Sequence, residues 1–288
     1  MCAGTATVSL TVDLWYSVLC SPQLMWWCST TRSWHKATKS CPLTFHDHRA
    51  KGGPGCLSRL LLQMETYSQY ANIFNMTITY RRDADVTIPY GELIPKEDEG
   101  HLVDDIPLNK TFLVCWVVSN YRNEHKRSQV FKELNATVFV KVYGRWTKTR
   151  LHSRALLPTI SHCYFYLAFE NIFTKDYITE KLWRNAYQGG AVPVVVGPQL
   201  GDYKAVAPAN SFIHVDEFAS VKDLGRYLQQ LAKDKKRYSE YFTWKHQWKV
   251  KLYTDWRERL CKICSQYNSL PQHKVYSDLE AWVNAINT

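Results

Sequence analysis

Apolar and polar positions along the chain fall into two regimes. Up to about residue 60, Trp, Cys, Ser and Thr mix without helical or strand period and close on the basic, glycine-rich HRAKGGPGC, so little stable structure is expected over 1–60. From Leu60 the patterning sharpens. FNMTITYRRDADVTIPYG alternates at Met76, Ile78 and Tyr80 and again at Val86 and Ile88 before Pro89, which predicts two short strands or extended segments. The acidic, proline-bounded PKEDEGHLVDDIPLNK then reads as a linker.

After the linker one grammar repeats. FLVCWVVSN (112–120) is a continuous apolar, β-branched run of the kind buried on both faces of a parallel sheet. EHKRSQVFKEL (124–134) reads as a helix and ATVFVKVYG (136–144) as the next strand. The pattern returns with HCYFYLAFE (162–170), a helix from about Asp176 to Tyr187, a Gly189-Gly190 stop and AVPVVVG (191–197). SFIHV (211–215) and the helix VKDLGRYLQQLAKD follow. Apolar strands alternating with helices predict an α/β, doubly wound parallel sheet, with ligands beyond the carboxyl ends of the strands. That singles out two polar loops, NYRNEHKR and ENIFTKDYITEK.

In the second loop Asp176 suits a helix N-cap, placing Tyr177, Glu180 and Lys181 in the first turn and a half. Lys181 would add a full charge to the partial charge of the helix start, a seat for phosphate. Glu180 would repel phosphate, so its presence there suggests recognition of sugar hydroxyls. The plainer alternative pairs Glu180 with Arg184 across one turn and leaves Lys181 solvated. Arg127, early in the other helix, offers a second cation able to bind a diphosphate bidentately, or is an ordinary surface arginine beside His125 and Lys126. Neither GxGxxG nor GxxxxGK[ST] occurs, which removes the dinucleotide fingerprint and the P-loop.

Composition narrows the setting. Lys and Arg exceed Asp and Glu by ten in 288 residues, favouring anionic partners. Of the nine cysteines, Cys2, Cys20, Cys28, Cys41, Cys56, Cys115, Cys163, Cys261 and Cys264, only the last two have CxxC spacing, so a four-cysteine zinc site lacks its second pair. Disulfides fit better. Sequons at Asn75, Asn109 and Asn135 agree with a secretory route. The apolar TATVSLTVDLWYSVLC carries Asp13, lacks a basic flank and is too short to span a membrane, so it is not read as a signal anchor.

These residues resemble a family. FENIFTKDYITEKLWRNAYQGGAVPVVVGP is similar to the donor-binding signature of the α1,3/4-fucosyltransferases, and FNMTITYRRDADVTIPYG, LVCWVVSNYRNEHKR, VYGR and SFIHVDEF resemble its other blocks in order, from about Ile73 onward. The resemblance implies a GT-B enzyme whose carboxyl-terminal Rossmann-like domain binds GDP-fucose and whose amino-terminal one binds a glycan acceptor. It implies that Arg127 and Lys181 hold the diphosphate, Glu180 binds donor hydroxyls, and Asn171 and Tyr177 line the pocket. Inverting transfer of L-fucose to a GlcNAc hydroxyl in α1,3 linkage would follow, without cofactor, with no metal required and no nucleic acid as partner. Asp83-Ala84-Asp85 has DxD spacing, but its matching place in the family is a turn of the acceptor domain.

The family's base is a glutamate in Glu-Ser-Pro, which this chain lacks, leaving Glu65 as the nearest candidate. The resemblance further implies a Cys115–Cys163 bridge, a terminal pair at Cys261 and Cys264, Golgi residence behind a membrane anchor not visible in this chain, and a helix over YFTWKHQWKVKLYTDWRERL. The expected organisation is a divergent segment 1–60, a remnant of the acceptor domain with linker over 61–110, a complete donor domain over 111–258, and a returning segment 259–288, the acceptor domain being truncated or altered. The alternative function is a catalytically impaired GDP-fucose-binding protein or fragment.

Overall fold

The computed structural model describes residues 71, 72, 74, 76–97, 110–254, 266, 269–270 and 274–284. They belong to two compact units. Among these residues, one unit comprises those up to Thr79, Asp83–Ile88 and those from Tyr253 to Glu280, and the other Tyr80–Arg82, those from Pro89 to Leu252 and those from Ala281 on.

The larger unit is built on a five-stranded parallel sheet. β4 (Phe112–Val117), β5 (Val140–Tyr143), β6 (Cys163–Phe169), β7 (Val192–Val196) and β8 (Ile213–His214) lie in the order β5-β4-β6-β7-β8. Alternate residues of one strand face opposite layers. Phe165, Leu167 and Phe169 join Val114, Trp116, Val194 and residues of helices α1 (Lys126–Thr137) and α4 (Val221–Lys233), while Tyr166 and Ala168 join Ile160, Leu182, Trp183 and Ala186 on the other side. Burial on both faces explains why these strands read as unbroken apolar runs. The doubly wound parallel sheet expected from the pattern is therefore observed. Helices α2 (Ser153–Ser161), α3 (Leu200–Lys204) and α5 (Lys235–Glu240) complete the connections.

Several boundaries differ from expectation. Helix α1 runs on to Thr137, and β5 starts only at Val140, whose amide donates to the Asn135 side-chain oxygen at 3.0 Å. The helix expected from Asp176 begins at Lys181 and is a π-helix, Lys181–Gln188, with Glu180 at the N-cap position making no side-chain capping bond. Asp176 instead has a positive φ of 60°, and its carboxylate accepts from the Arg82 amide at 2.9 Å and from Arg82 Nε at 2.6 Å. That tertiary partner displaces Asp176 from capping. Gly190, at φ 70°, ends the π-helix segment where a side chain would be strained, as the Gly-Gly stop anticipated. Residues 243–252, expected as helix, form a 3₁₀ turn (Thr243–His246) and strand β9 (Trp248–Leu252), which pairs antiparallel with β3 (Gly91–Pro95) in the same unit.

Cys115 and Cys163 form the bridge implied by the resemblance, tying β4 to β6 with Cα atoms 5.9 Å apart. Cys261 and Cys264 lie outside the described residues, as do Cys2, Cys20, Cys28, Cys41 and Cys56.

In the smaller unit β1 (Ile78–Thr79) and β2 (Val86–Thr87) pair in parallel, and Val86, Ile88 and Leu270 pack with Met76 and Ile78. Asp85 is its polar hub. The carboxylate accepts from Thr77 N at 2.8 Å, Tyr276 Oη at 2.8 Å and Lys274 Nζ at 2.7 Å. No helix among the described residues is long and apolar enough to cross a membrane.

Candidate donor-binding site

The carboxyl ends of β4 and β6 and the amino ends of α1 and the π-helix bring the polar loops together. Arg127, in the first turn of α1, is 3% exposed. Its guanidinium donates to Asn171 Oδ1 and to the Asn120 carbonyl, while Nε has no partner. Burial lowers its pKa, opposed chiefly by the negative charge of Glu170. The arginine is no surface residue.

Glu170 follows directly on β6 and is completely buried. Its carboxylate accepts from the Thr179 amide at 2.8 Å, from the Thr179 hydroxyl at 2.9 and 2.8 Å, and from Lys181 Nζ at 2.8 Å. Lys181 Nζ also donates to Thr179 Oγ1 at 2.7 Å and reaches Glu180 Oε1 at 3.5 Å. Burial alone would lower the Lys181 pKa, but the carboxylates of Glu170 and Glu180 hold it above the usual lysine value. Glu170 itself is pushed up by burial, with Lys181 pulling the other way. The lysine is 13% exposed and the Glu180 side chain 52%.

Neither half of the plainer alternative occurs. Lys181 is ion-paired within the fold, and Arg184 donates to Ser153 Oγ at 3.2 Å. Tyr177 is buried among Tyr80 and Tyr90, edge-on to both at 5.1 and 6.1 Å between centroids, and its hydroxyl pKa is raised by burial first and then by nearby Tyr90, Glu170 and Glu180. Of the residues read from sequence, Arg127 and Asn171 are thus bonded to each other, and Lys181, Glu180 and Tyr177 gather around Glu170. Asn135 is exposed, and its Oδ1 accepts from the Val140 amide. Glu65, Asn75 and Asn109 lie outside the described residues.

Sequence reasoning missed Glu170 and Asn120. A signal for the first existed: a carboxylate placed directly after seven strand residues of nearly continuous burial needs a cation nearby. Among the described residues no group of three or more His, Cys, Asp or Glu is arranged to hold a metal ion. Three further buried polar atoms on or near the start of α1 and at α3, His125 Nδ1, Ser128 Oγ and Tyr203 Oη, lack protein partners. A buried arginine with an unpartnered Nε and a largely covered lysine at these strand ends could together hold an anion.

Residues 107–282 match glycosyltransferase family 10 (fucosyltransferase), C-terminal part. The chain belongs to this family. This family 10 glycosyltransferase is 40% identical over 240 residues to alpha-(1,3)-fucosyltransferase 7 of Homo sapiens, the match covering 82% of this chain and 68% of that one. It is 42% identical over 211 residues to 4-galactosyl-N-acetylglucosaminide 3-alpha-L-fucosyltransferase 9 of Mus musculus, covering 73% and 58%. The chain thus spans roughly three fifths to two thirds of the length of these relatives. A crystal structure of alpha1,3-fucosyltransferase with GDP aligns with a TM-score of 0.42 at 25% identity, over 48% of this chain and 39% of that one. The family match and the two relatives uphold the resemblance seen in the motif blocks.

Proposed function

We propose that this family 10 glycosyltransferase moves L-fucose from GDP-fucose to a GlcNAc hydroxyl of a glycoprotein or glycolipid glycan, forming an α1,3 linkage with inversion. The observation that carries the reading is the pair of buried cations, Arg127 and Lys181, at adjacent strand ends. Their positions suit a diphosphate. As the acceptor oxygen bonds to the anomeric carbon and the carbon–phosphate oxygen bond breaks, GDP gains negative charge, and preplaced cations favour that state over the intact donor. No metal or cofactor is assigned a step; GDP-fucose is the substrate.

Glu180, exposed at the start of the π-helix, is assigned to donor hydroxyls, and Asn171 and Tyr177 to the pocket wall. Glu65 is assigned as the base that takes the acceptor proton. In this reading the larger unit is the donor domain of a GT-B enzyme, and an altered acceptor-binding domain precedes it in the chain. The enzyme acts in the Golgi lumen behind a membrane anchor, with Asn75, Asn109 and Asn135 as glycan attachment sites and Cys261 and Cys264 as disulfide partners.

The test is transfer of labelled fucose from GDP-fucose to an N-acetyllactosamine acceptor, beside calorimetry of GDP binding on the same preparation. Transfer that is abolished in Glu65→Gln and GDP binding that falls in Lys181→Ala and Arg127→Ala are the expected results. GDP binding without transfer would favour the impaired, donor-binding alternative, and unchanged GDP affinity in both cation variants would overturn the site.

A further inference from the structure

Glu170 poses a problem for an anion site. It is a wholly buried carboxylate beside the lysine assigned to phosphate, where its charge opposes the ligand. Resting on the proposed donor-binding function, we infer that Glu170 is a positioning residue: its carboxylate, locked by Thr179, fixes the place of the Lys181 ammonium and keeps it charged beside Arg127.

The geometry leads there in three steps. An ammonium has three donors. Two of the Lys181 donors are taken at close range, by Glu170 Oε2 at 2.8 Å and Thr179 Oγ1 at 2.7 Å, while Glu180 at 3.5 Å is a loose and exposed contact. The third donor is thus aimed by the other two and is available to a phosphate oxygen. Thr179 acts as a relay, accepting from Lys181 and donating its hydroxyl hydrogen to Glu170, while its amide holds the same carboxylate at 2.8 Å.

The second step is electrostatic. Arg127 and Lys181 sense each other as like charges, and burial favours the neutral amine for the lysine. The buried charge of Glu170, bonded to Lys181 and felt by Arg127, favours the charged form of both cations, while the Glu180 carboxylate stands largely in solvent. The third step is packing. A Cβ at Gly197 would come within 3.0 Å of Glu170 Cβ and Cγ and 2.9 Å of Tyr203 Oη, so the absence of a side chain there gives the carboxylate its berth. The main chain fixes it too, with Glu170 N donating to the Val196 carbonyl at 2.7 Å.

The groups facing the pair are Glu180 and Arg127 around Lys181, and Tyr166, Tyr177 and Tyr203 around Glu170. None of the tyrosines ionises near neutrality, since burial raises each of them. Removing the Glu170 charge therefore lowers the Lys181 pKa, leaving only the more exposed Glu180 carboxylate, at 3.5 Å, to hold it up.

The experiment is GDP calorimetry at pH 6, 7.5 and 9, reading the ratio of variant to wild-type Kd at each pH, which cancels titration of GDP itself. In Glu170→Gln the ratio is expected to stay within about threefold at pH 6 and to rise at least tenfold further by pH 9 as the lysine loses its proton. Glu170→Asp keeps the charge at a shorter reach, so its ratio is raised but flat with pH. Thr179→Val, which leaves the carboxylate in place and removes the relay, gives a flat weakening of about tenfold and serves where the Glu170 variants do not fold. A Glu170→Gln ratio below threefold at every pH, with Lys181→Ala weakening GDP binding, would overturn the positioning role and leave the proposed function standing. Absence of GDP binding by the wild-type chain would overturn the function and this role with it.

Discussion

The polar clusters around Asp85 and around Glu170 use the same parts, a buried carboxylate, a lysine and a threonine that bonds with both backbone amide and hydroxyl. They differ in how fully they are satisfied. Asp85 collects Thr77, Tyr276 and Lys274, and although burial acts to raise its pKa, these hydrogen bonds hold it below the ordinary aspartate value. Glu170 draws its hydrogen bonds from Thr179 and Lys181 alone, and total burial raises its pKa. Beside it stand donors without protein partners, Arg127 Nε among them. A saturated cluster is a staple, here joining residues about 190 positions apart in the chain, whereas a cluster with unspent donors is built for something that arrives later.

That contrast can be broken most forcefully at the cations. Arg127→Ala and Lys181→Ala are each expected to weaken GDP binding about 10- to 100-fold, the worth of a charged hydrogen bond, with the fold retained by circular dichroism. Asp85→Asn should do the reverse, leaving GDP affinity within twofold and costing about 1–3 kcal/mol of stability, discounted because Lys274 is 38% exposed. Hydrogen exchange at the Val86 and Ile88 amides, which donate to Thr77 and Thr79 carbonyls, would report that loss locally.

A pH effect of intermediate size follows from the depressed Asp85 pKa. Because the folded value lies below the unfolded one, the stabilisation is present above about pH 4 and is lost as pH falls through the folded value. Acid titration of the same amides should therefore show protection failing earlier than in Asp85→Asn relative to each protein's value at pH 7; parallel curves would remove Asp85 as the staple. The smallest effect is assigned to Glu180→Gln. With its side chain 52% exposed, the change should alter GDP-fucose affinity two- to threefold and stability by less than about 0.5 kcal/mol, measured by calorimetry and urea titration.

What the sequence disclosed follows the range of the forces involved. Strands β4, β6 and β7 were legible because continuous burial writes itself into continuous apolar runs, and Gly189-Gly190 marked a stop because backbone geometry is local. The start of the π-helix was misplaced because Asp176 answers to Arg82, 94 residues earlier. Strand β9 was expected as helix because the resemblance implied one there, although Trp248, Val250 and Leu252 alternate with Lys249 and Lys251 as a strand does. Arg127, Tyr177, Glu180 and Lys181 were singled out by charge and by their place in loops after apolar strands, and Asn171 by resemblance. Glu170 was not, because its meaning depends on Thr179, Lys181 and the bare backbone at Gly197 together.

The π-helix over Lys181–Gln188 runs between two anchors. At one end Lys181 is held to Glu170, and at the other Gly190 leads directly into β7. Such a wide turn accommodates one residue more than α geometry does. Deleting a single residue from this stretch would let it relax into an α-helix with both anchors kept close to their places, since the wide turn is what absorbs the extra residue. Identity here is therefore under tighter constraint than length: Leu182, Trp183, Asn185, Ala186 and Tyr187 are buried and cannot be exchanged freely, whereas the loss of one codon removes a residue that the segment already carries in surplus.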